Sequence, residues 1–371
     1  MSACRSCAAP QPHRVLDLGA VPAADHFPAA GLPVQPGEAD HPLAMDLCTA
    51  CGLAQLADDD TVTAEPRGVE PRALVDQAAD AVGRVSAHGW LTGATVREFG
   101  SPHGGSWLPL LAERGMAPTD GRADVVLDCF GIMHEPDQRA AFAERAAATA
   151  PDGVLLLQYH ELSAIVGGEQ WNALRHGHFA YYSMVALRNL FAGAGLRPMA
   201  VWRFPLYGGT VLLAAVHRGS SRDGTPDPEI GRLAAADAAL ARPEGLTPLQ
   251  SAADRHAHAL RSYLQWQRDA GRRVFAYGAA SRAVALFARA GLDSGLLRAV
   301  ADASPAKQGR RMPGNDIPII SPDALVAAAP DVVLLTLADL LPEVSARLPE
   351  LAGRWVTDES VAMASTGGGR P

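Results

Sequence analysis

Apolar residues along the chain follow two alternating patterns between residues 72 and 217. Short, nearly continuous apolar runs predict buried strands at 94–99, 123–130, 153–159, 197–204 and 209–217. Segments with helical spacing predict helices at 72–93, 106–115, 137–149 and 183–195. Strands that alternate with helices indicate an α/β fold with a parallel sheet, and the last two strands indicate an antiparallel end to that sheet.

The same alternation starts again after a polar linker rich in glycine and proline at 219–228 and a long amphipathic helical stretch that reaches about residue 270. Its predicted strands are 273–277, 297–301 and 331–337, and the end of the chain, 362–371, is expected to be a flexible tail. The pattern therefore predicts four regions: a small module at 1–63, an α/β domain at 64–218, a linker with a long helix at 219–270, and a second α/β domain at 271–371.

Charge and composition limit the partners of the protein. The 371 residues include 32 basic and 40 acidic side chains, so the formal net charge is −8. A chain without a basic field is a poor ligand for nucleic acid or anionic lipid. No run of some eighteen apolar residues and no basic segment followed by an apolar stretch is present, which favours the cytoplasm.

Four of the five cysteines form two short pairs, Cys4–Cys7 and Cys48–Cys51. Two Cys-x-x-Cys turns supply the four thiolates of a tetrahedral zinc site, and such a closed site is structural rather than catalytic. The alternative is four reduced thiols without a metal. Cys129 lies apart at a predicted strand end and is expected to be a core residue.

A glycine-rich turn, Glu98–Gly105, lies between the first predicted strand of the larger domain and its helix. This position suits a nucleotide-type cofactor, with Glu98, Gly100, Ser101, His103 and Gly104 as the binding residues. The alternative is a plain strand-to-helix turn. A second strand that ends in a ribose-binding acid is missing from the pattern, and the candidate replacements are Asp120 and the stretch Gly68–Pro71.

Histidines and one acid follow the strand that ends near Tyr159. His160, Glu161, His176 and His178 are expected at the carboxyl edge of the sheet, where catalytic groups gather. Histidines of near-neutral pKa are natural general bases there. A second metal site on the same four residues and ordinary loop histidines are the alternatives.

Several of these motifs resemble the sugar C-methyltransferases that act on deoxysugar nucleotides. The cysteine pairs with Val15–Gly19 resemble the zinc module of that family, and Glu98–Ser101 resembles its S-adenosylmethionine loop. The other similar stretches are His176–Ser183, Gly208–Thr210, Tyr277–Arg282 and Lys307–Pro318. The resemblance implies a class I methyltransferase-like, Rossmann-like core lacking one βα unit, preceded by the zinc module and followed by a second Rossmann-like domain.

The resemblance also implies roles for individual residues. His178, or else His176, is the expected base, and Arg175, which replaces a tyrosine, is expected to hold an oxyanion. Gly177 replaces the catalytic glutamate of the family, and Tyr207 replaces a histidine. The expected substrate contacts are Tyr182, Arg282, Lys307 and Arg310, the last three for an anionic group such as a nucleotide diphosphate or, alternatively, as a solvated basic face.

Three functions remain open from the sequence. The first is base-assisted carbon methylation of a sugar nucleotide or another natural-product intermediate by S-adenosylmethionine. The second is a donor-independent ring closure, similar to methyltransferase-homologous cyclases that complete cyclopropanes begun by a radical S-adenosylmethionine enzyme; there the leaving group on the substrate is itself derived from S-adenosylmethionine. The third is a non-catalytic binding homologue.

Overall fold

The computed structural model describes residues 3–62, 70–102 and 105–366, and it contains three β-sheets. The strands are β1 His13–Val21, β2 His41–Leu47, β3 Ala54–Leu56, β4 Thr95–Phe99, β5 Ala117–Pro118, β6 Ala123–Cys129, β7 Thr149–His160, β8 Ala180–Tyr181, β9 Leu196–Phe204, β10 Thr210–His217, β11 Val274–Tyr277, β12 Val300–Ala301, β13 Ile319–Ile320, β14 Val332–Leu335 and β15 Trp355–Thr357. The helices are α1 Arg72–Ala87, α2 Leu108–Ala112, α3 Gln138–Ala148, α4 Leu162–Gly167, α5 Met184–Gly193, α6 Pro228–Ala236, α7 Pro248–Asp269, α8 Ser281–Arg289, α9 Pro322–Ala327, α10 Leu341–Arg347 and α11 Asp358–Thr366.

The central sheet has the order β5-β4-β6-β7-β10-β9. Strands β5, β4, β6 and β7 are parallel, and β10 is antiparallel to both β7 and β9. A doubly wound sheet has its nucleotide-binding edge where β4 leads into its helix. This is the class I methyltransferase-like core that the sequence predicts, with its antiparallel end in place.

The curtailed edge of this sheet differs in one respect from the prediction. The sequence predicts that the second strand is missing, whereas the structure retains a two-residue strand, β5, beside β4. Only residues 119–122 then connect β5 to β6, and β5 is the edge strand of this sheet among the described residues. The lost βα unit is therefore the one beyond β5, and β5 itself is reduced to a remnant.

The N-terminal module is an antiparallel sheet of the order β1-β2-β3-β8. Its last strand, β8, belongs to the larger domain, and Ala54 of β3 pairs with Tyr181 of β8. The module is thus joined to the segment 175–182 by strand pairing. Its apolar side chains, among them Leu16 and Met45, share one core with α7 and α8.

The C-terminal domain has a parallel sheet of the order β13-β12-β11-β14-β15. The chain leaves β11 toward β12 on one side and later adds β14 on the other, so the carboxyl ends of β11 and β14 form a topological switch point, where open α/β sheets bind ligands. The loop after β11, Gly278–Ala280, leads directly into α8.

The structure differs from the prediction at the linker and at the C-terminal tail. The segment predicted as linker and long helix contains α6, whose Ile230 and Leu233 are buried in the core of the larger domain, and α7, which packs into the C-terminal core. The tail expected at 362–371 is helical as far as Thr366, because α11 packs on α7. No helix among the described residues is both long and apolar enough to cross a bilayer.

A buried ion pair connects the module to the C-terminal domain. The Arg311 guanidinium is 2% exposed and bonds both carboxylate oxygens of Glu38, at 2.5 and 2.7 Å. Arg311 also donates to the carbonyl oxygens of Leu32 and Pro33. The Arg311 hydrogen bond is the main reason that the pKa of Glu38 falls to about 2.

We expect Glu38→Gln to lower the free energy of unfolding by up to about 3 kcal/mol at pH 7, since each unit of pKa shift corresponds to about 1.4 kcal/mol. A depressed carboxyl pKa stabilises the fold above its unfolded value and loses that effect as the pH falls. Stability of the unsubstituted protein should therefore decline from about pH 4.5 toward pH 2, the Glu38 contribution being absent in the variant. Urea unfolding of both proteins across this pH range measures the difference in the free energy of unfolding. Asp60→Asn, at a pair whose carboxylate is 57% exposed, should change little.

Candidate functional site

A cavity of about 250 Å³ lies between the larger domain and the C-terminal domain. The carboxyl ends of β4, β6, β7 and β9 face it from one side, and the switch point of the C-terminal sheet faces it from the other. Its polar lining residues include Glu70, Glu98, Ser101, Gln77, Gln158, His160, Arg175, His178, Tyr207, Ser281, Arg282 and Lys307. Two sheets thus direct their ligand-binding edges at one space.

Arg175 and His178 form a hydrogen-bonded pair in this cavity. The Nε of Arg175 donates to Nε2 of His178 at 2.7 Å, so the imidazole accepts at that nitrogen. The ring of His134 lies edge-on to His178, with 4.3 Å between ring centroids, and Nδ1 of His134 is 2.9 Å from the carbonyl oxygen of Gly177. Gly177 in turn donates its backbone N–H to Asp59 of the module at 2.8 Å. The module therefore fixes the turn that carries both residues.

His160 is the second histidine that lines the cavity. Its ring is 8% exposed, and its Nε2 atom is buried without a hydrogen-bond partner among the described residues. Burial, and after it the positive charges of Arg282 and Arg175, lowers the pKa of His160 to about 3. The ring is a neutral imidazole at neutral pH in this environment.

Two cationic side chains of the C-terminal domain reach the cavity. Arg282, at the start of α8, lies over the ring of Tyr207, 5.8 Å from its centroid. Lys307 is 5% exposed and donates to the carbonyl oxygen of Ala279 at 2.9 Å. Together with Arg175 they give the cavity three cations, an arrangement that suits an anionic group on a ligand.

Two aromatic residues of the cavity have backbone angles in the left-handed region. Phe130 has φ 61° and Tyr207 has φ 56°, and their rings make an edge contact with 6.2 Å between centroids. A left-handed conformation is unfavourable for a residue with a bulky side chain, and such strained residues cluster at functional sites. Phe130 directly follows β6, Tyr207 lies in the turn between β9 and β10, and both residues line the cavity.

The glycine-rich turn contributes Glu98, Gly100 and Ser101 to the cavity wall. The carboxylate of Glu98 accepts hydrogen bonds from the Ser106 hydroxyl at 2.5 Å and from the Trp107 backbone N–H at 2.7 Å, and so closes the turn. The predicted cofactor residues His103 and Gly104 lie outside the described residues.

Glu70 and Pro71, the second half of the candidate stretch Gly68–Pro71, line the cavity, whereas Gly68 and Val69 lie outside the described residues. Gly105 has φ +81°, and a Cβ atom placed on it would lie 2.6 Å from the Glu70 carboxylate. Only glycine allows Glu70 to approach the turn this closely. The other candidate, Asp120, is exposed and is absent from the residues that line the cavity.

Four residues predicted for the site lie elsewhere. Nε2 of His176 is 3.1 Å from the carbonyl oxygen of Pro42, so this histidine faces the module. Glu161 pairs with Arg203 at 2.9 Å, and the buried hydroxyl of Tyr182 donates to Gln138. Arg310 donates to the carbonyl oxygens of Ala306 and Phe27. None of the four lines the cavity.

The four N-terminal cysteines come together as the sequence predicts. All four Sγ atoms lie within 4.8 Å of one another, and the pairs Cys4–Cys51 and Cys7–Cys48 are 3.6 Å apart. Sulfurs about 2.3 Å from a tetrahedral zinc are separated by about 3.8 Å, so the set fits zinc. It is the one such group among the described residues, and the alternative metal site on His160, Glu161, His176 and His178 does not form.

Several cavity residues were not proposed from the sequence. Cys129 ends β6, just as His160 ends β7, and Phe130 and Met133 follow it, so the strand-end rule applied to every strand would have identified them. Burial raises the pKa of the Cys129 thiol, which keeps it protonated. His134 supports His178 from behind the cavity, and no sequence signal marked it.

Comparison with known proteins agrees with this architecture. Residues 4–65 match the family model of a zinc binding domain, and residues 205–358 match that of a C-methyltransferase C-terminal domain. The C-methyltransferase NovU of Streptomyces niveus is 27% identical over 231 residues, which cover 62% of this chain and 54% of NovU. In these regions the chain is similar to the sugar C-methyltransferase-like family. The matched region spans about half the length of that relative.

Solved methyltransferases resemble the chain more distantly. Magnesium protoporphyrin IX methyltransferase from Synechocystis PCC 6803 has a TM-score of 0.29 at 14% identity. The matched region covers 39% of this chain and 81% of the methyltransferase chain. The mitomycin 7-O-methyltransferase MmcR has a TM-score of 0.29 at 17% identity and covers 39% of this chain and 56% of its own. The fold assignment of this chain rests on its own sheet order.

Proposed function

We propose that the protein is a base-assisted carbon-alkylating enzyme, in the first instance an S-adenosylmethionine-dependent C-methyltransferase of natural-product biosynthesis. The observation that carries the proposal is the cavity itself, where two imidazoles and three cations face the glycine-rich turn. A purely structural homologue has no need of such a set of buried polar groups, because each costs free energy to desolvate.

The turn retains groups that fit part of S-adenosylmethionine. Gly100 and Ser101 offer close backbone approach, and the Glu70 carboxylate is in position to accept hydrogen bonds from ribose hydroxyls. S-adenosylmethionine, when bound, supplies an electrophilic methyl group. We propose Glu70 in place of the acid that normally ends the second strand, because β5 ends without one that reaches the cavity.

The chain's own residues supply the remaining chemistry. One of the two cavity imidazoles, His160 or His178, removes a proton from the carbon that becomes alkylated. The Arg175 guanidinium stabilises the negative charge that develops on a neighbouring oxygen. Phe130 and Tyr207 exclude water from the carbanion, and Arg282 with Lys307 holds an anionic part of the substrate. A sugar nucleotide has such a part in its diphosphate.

Titration calorimetry of the zinc-loaded protein with S-adenosylmethionine and S-adenosylhomocysteine tests this function. We expect binding in the micromolar range, weakened about 10- to 100-fold by Glu70→Gln, because the variant loses a charged acceptor of ribose hydroxyls. Asp120→Asn is the matched control and should bind normally. No heat with either ligand would refute dependence on S-adenosylmethionine, and equal affinities in both variants would refute the role of Glu70.

Donor-independent ring closure is the second candidate, and the reduced edge of the sheet favours it. With β5 two residues long and no further strand beside it in the described part of the chain, the support for an adenosyl group is small, and the cavity of about 250 Å³ suits one compact ligand. In that case the substrate carries its own leaving group, supplied by an upstream radical enzyme. Conversion of a synthetic ring-open precursor without a methyl donor would support this candidate; a strict need for the donor would exclude it.

A further inference from the structure

The two imidazoles that line the cavity differ in what occupies their ring nitrogens. Nε2 of His178 accepts a hydrogen bond from the Arg175 guanidinium, so its lone pair is engaged. Nε2 of His160 is buried and has no hydrogen-bond partner within the described part of the chain. His160 therefore presents a ring nitrogen that a ligand can use without first breaking a protein contact.

The surroundings of His160 are strongly cationic. Arg282 at the start of α8 and Arg175 in the loop before β8 are the charges that act on it, while the Tyr207 backbone and the Gln170 amide lie beside the ring. The acids whose charges act on Arg282 are Asp358, Asp339 and Glu359. Burial is the largest cause of the low pKa of His160, about 3, and the positive charges of Arg282 and Arg175 oppose protonation in the same direction.

We propose that His160 is the proton acceptor of the reaction, and that an anionic substrate group, a phosphate or a carboxylate, enables it by lying between Arg175 and Arg282. The proposal rests on the proposed carbon alkylation. The substrate C–H bond breaks, its proton moves to Nε2 of His160, and its electron pair forms the new carbon–carbon bond. The leaving group, on the methyl donor or on the substrate itself, departs with the electrons of the bond that breaks.

Charge balance is the physical reason for this coupling. An anion between the two guanidinium groups offsets the positive charge that opposes protonation, and an opposite charge at 4–6 Å shifts a pKa by roughly one to three units. The base then becomes competent only when substrate is in place. Without substrate, the His160 imidazole is a weak base and therefore does not take up a proton from solvent.

Nuclear magnetic resonance of the ring nitrogens tests the proposal on the full-length, zinc-loaded protein. Protein labelled with ¹⁵N-histidine is titrated from about pH 2 to 8 with chloride, inorganic phosphate or pyrophosphate, and the His160 signal is assigned from its loss in His160→Gln. We expect phosphate or pyrophosphate to raise the midpoint of His160 by at least about one pH unit relative to chloride. A midpoint that neither anion moves would overturn the proposal.

Two variants show whether the arginines carry the effect. Arg282→Gln should abolish the anion-dependent shift, and Arg282→Lys should restore part of it, since lysine keeps the charge but not the planar fork. His178→Gln, on the neighbouring imidazole, should leave the shift in place. Thermal unfolding confirms that each variant is folded. A shift that survives Arg282→Gln undiminished would contradict the assigned anion site.

This experiment contains no alkyl donor and measures no turnover, so it is independent of the calorimetric test above. Failure to bind S-adenosylmethionine would leave the anion-dependent shift intact. A shift that is absent in a protein that does transfer methyl groups would refute the role of His160 alone. In an active preparation, the same coupling predicts that His160→Gln lowers kcat by roughly 10²- to 10⁴-fold.

Discussion

Removal of zinc should unfold the N-terminal module and, with it, the turn that carries Arg175 and His178. We expect chelation, or Cys48→Ser, to lower the thermal midpoint by at least about 10 °C, because a structural zinc site contributes folding free energy directly. Differential scanning calorimetry with metal analysis measures the effect. Cys129→Ser, at the one cysteine outside the cluster, should leave the zinc content unchanged.

The effect should reach the cavity because the module holds the segment 175–182. Asp59 accepts the Gly177 backbone N–H, Pro42 lies against His176, and β3 pairs with β8. The Arg5 guanidinium also lies over the Phe179 ring, 4.7 Å from its centroid. A zinc-free protein that keeps both its thermal midpoint and its ligand affinity would contradict this account of the module.

Much of the fold was predictable from the sequence, because each strong prediction rests on a pattern with a physical cause. The apolar runs in β6 and in the second half of β7 are buried on both faces, so they contain few polar interruptions. The two Cys-x-x-Cys pairs supply four thiolates, which together fit a tetrahedral zinc site. The two-residue strands β5 and β13 have no such pattern, since they are shorter than any periodicity can reveal.

The candidate site was predicted only in part. His160 and His178 reach the cavity, whereas His176 does not, although both His176 and His178 lie in one short motif. Gly177, with φ 75°, turns the chain between them and sends the two rings in opposite directions. Contacts of this kind depend on which distant segment packs against the turn, here Pro42 and Asp59 of the module, and a linear sequence does not contain that information.

Breaking the buried ion pair beneath the cavity should be the most destabilising change to the larger domain. The Arg145 and Asp128 side chains are 2% and 0% exposed, and the Arg145 Nε atom lies 2.9 Å from the Asp128 carboxylate. We expect Arg145→Met to lower the free energy of unfolding by about 3–5 kcal/mol, because it leaves a carboxylate buried without a counter-charge. Urea unfolding measures this loss.

The neighbouring carboxylate provides the matched control. Glu144 also contacts Arg145, at 3.2 Å, but its side chain is 56% exposed, so Glu144→Gln should cost less than about 1 kcal/mol. Equal losses in the two variants would mean that the burial of Asp128 carries no special cost.

Arg145→Met should also weaken ligand binding. The Arg145 guanidinium lies 4.1 Å from the centroid of Phe99, and Asp128 accepts the backbone N–H groups of Gly131 and Ile132 at the turn that carries Phe130. The pair thus supports two walls of the cavity at once. Because the same two side chains fix both the sheet and the site, the loss of stability and the loss of affinity should appear together in Arg145→Met and be absent together in Glu144→Gln.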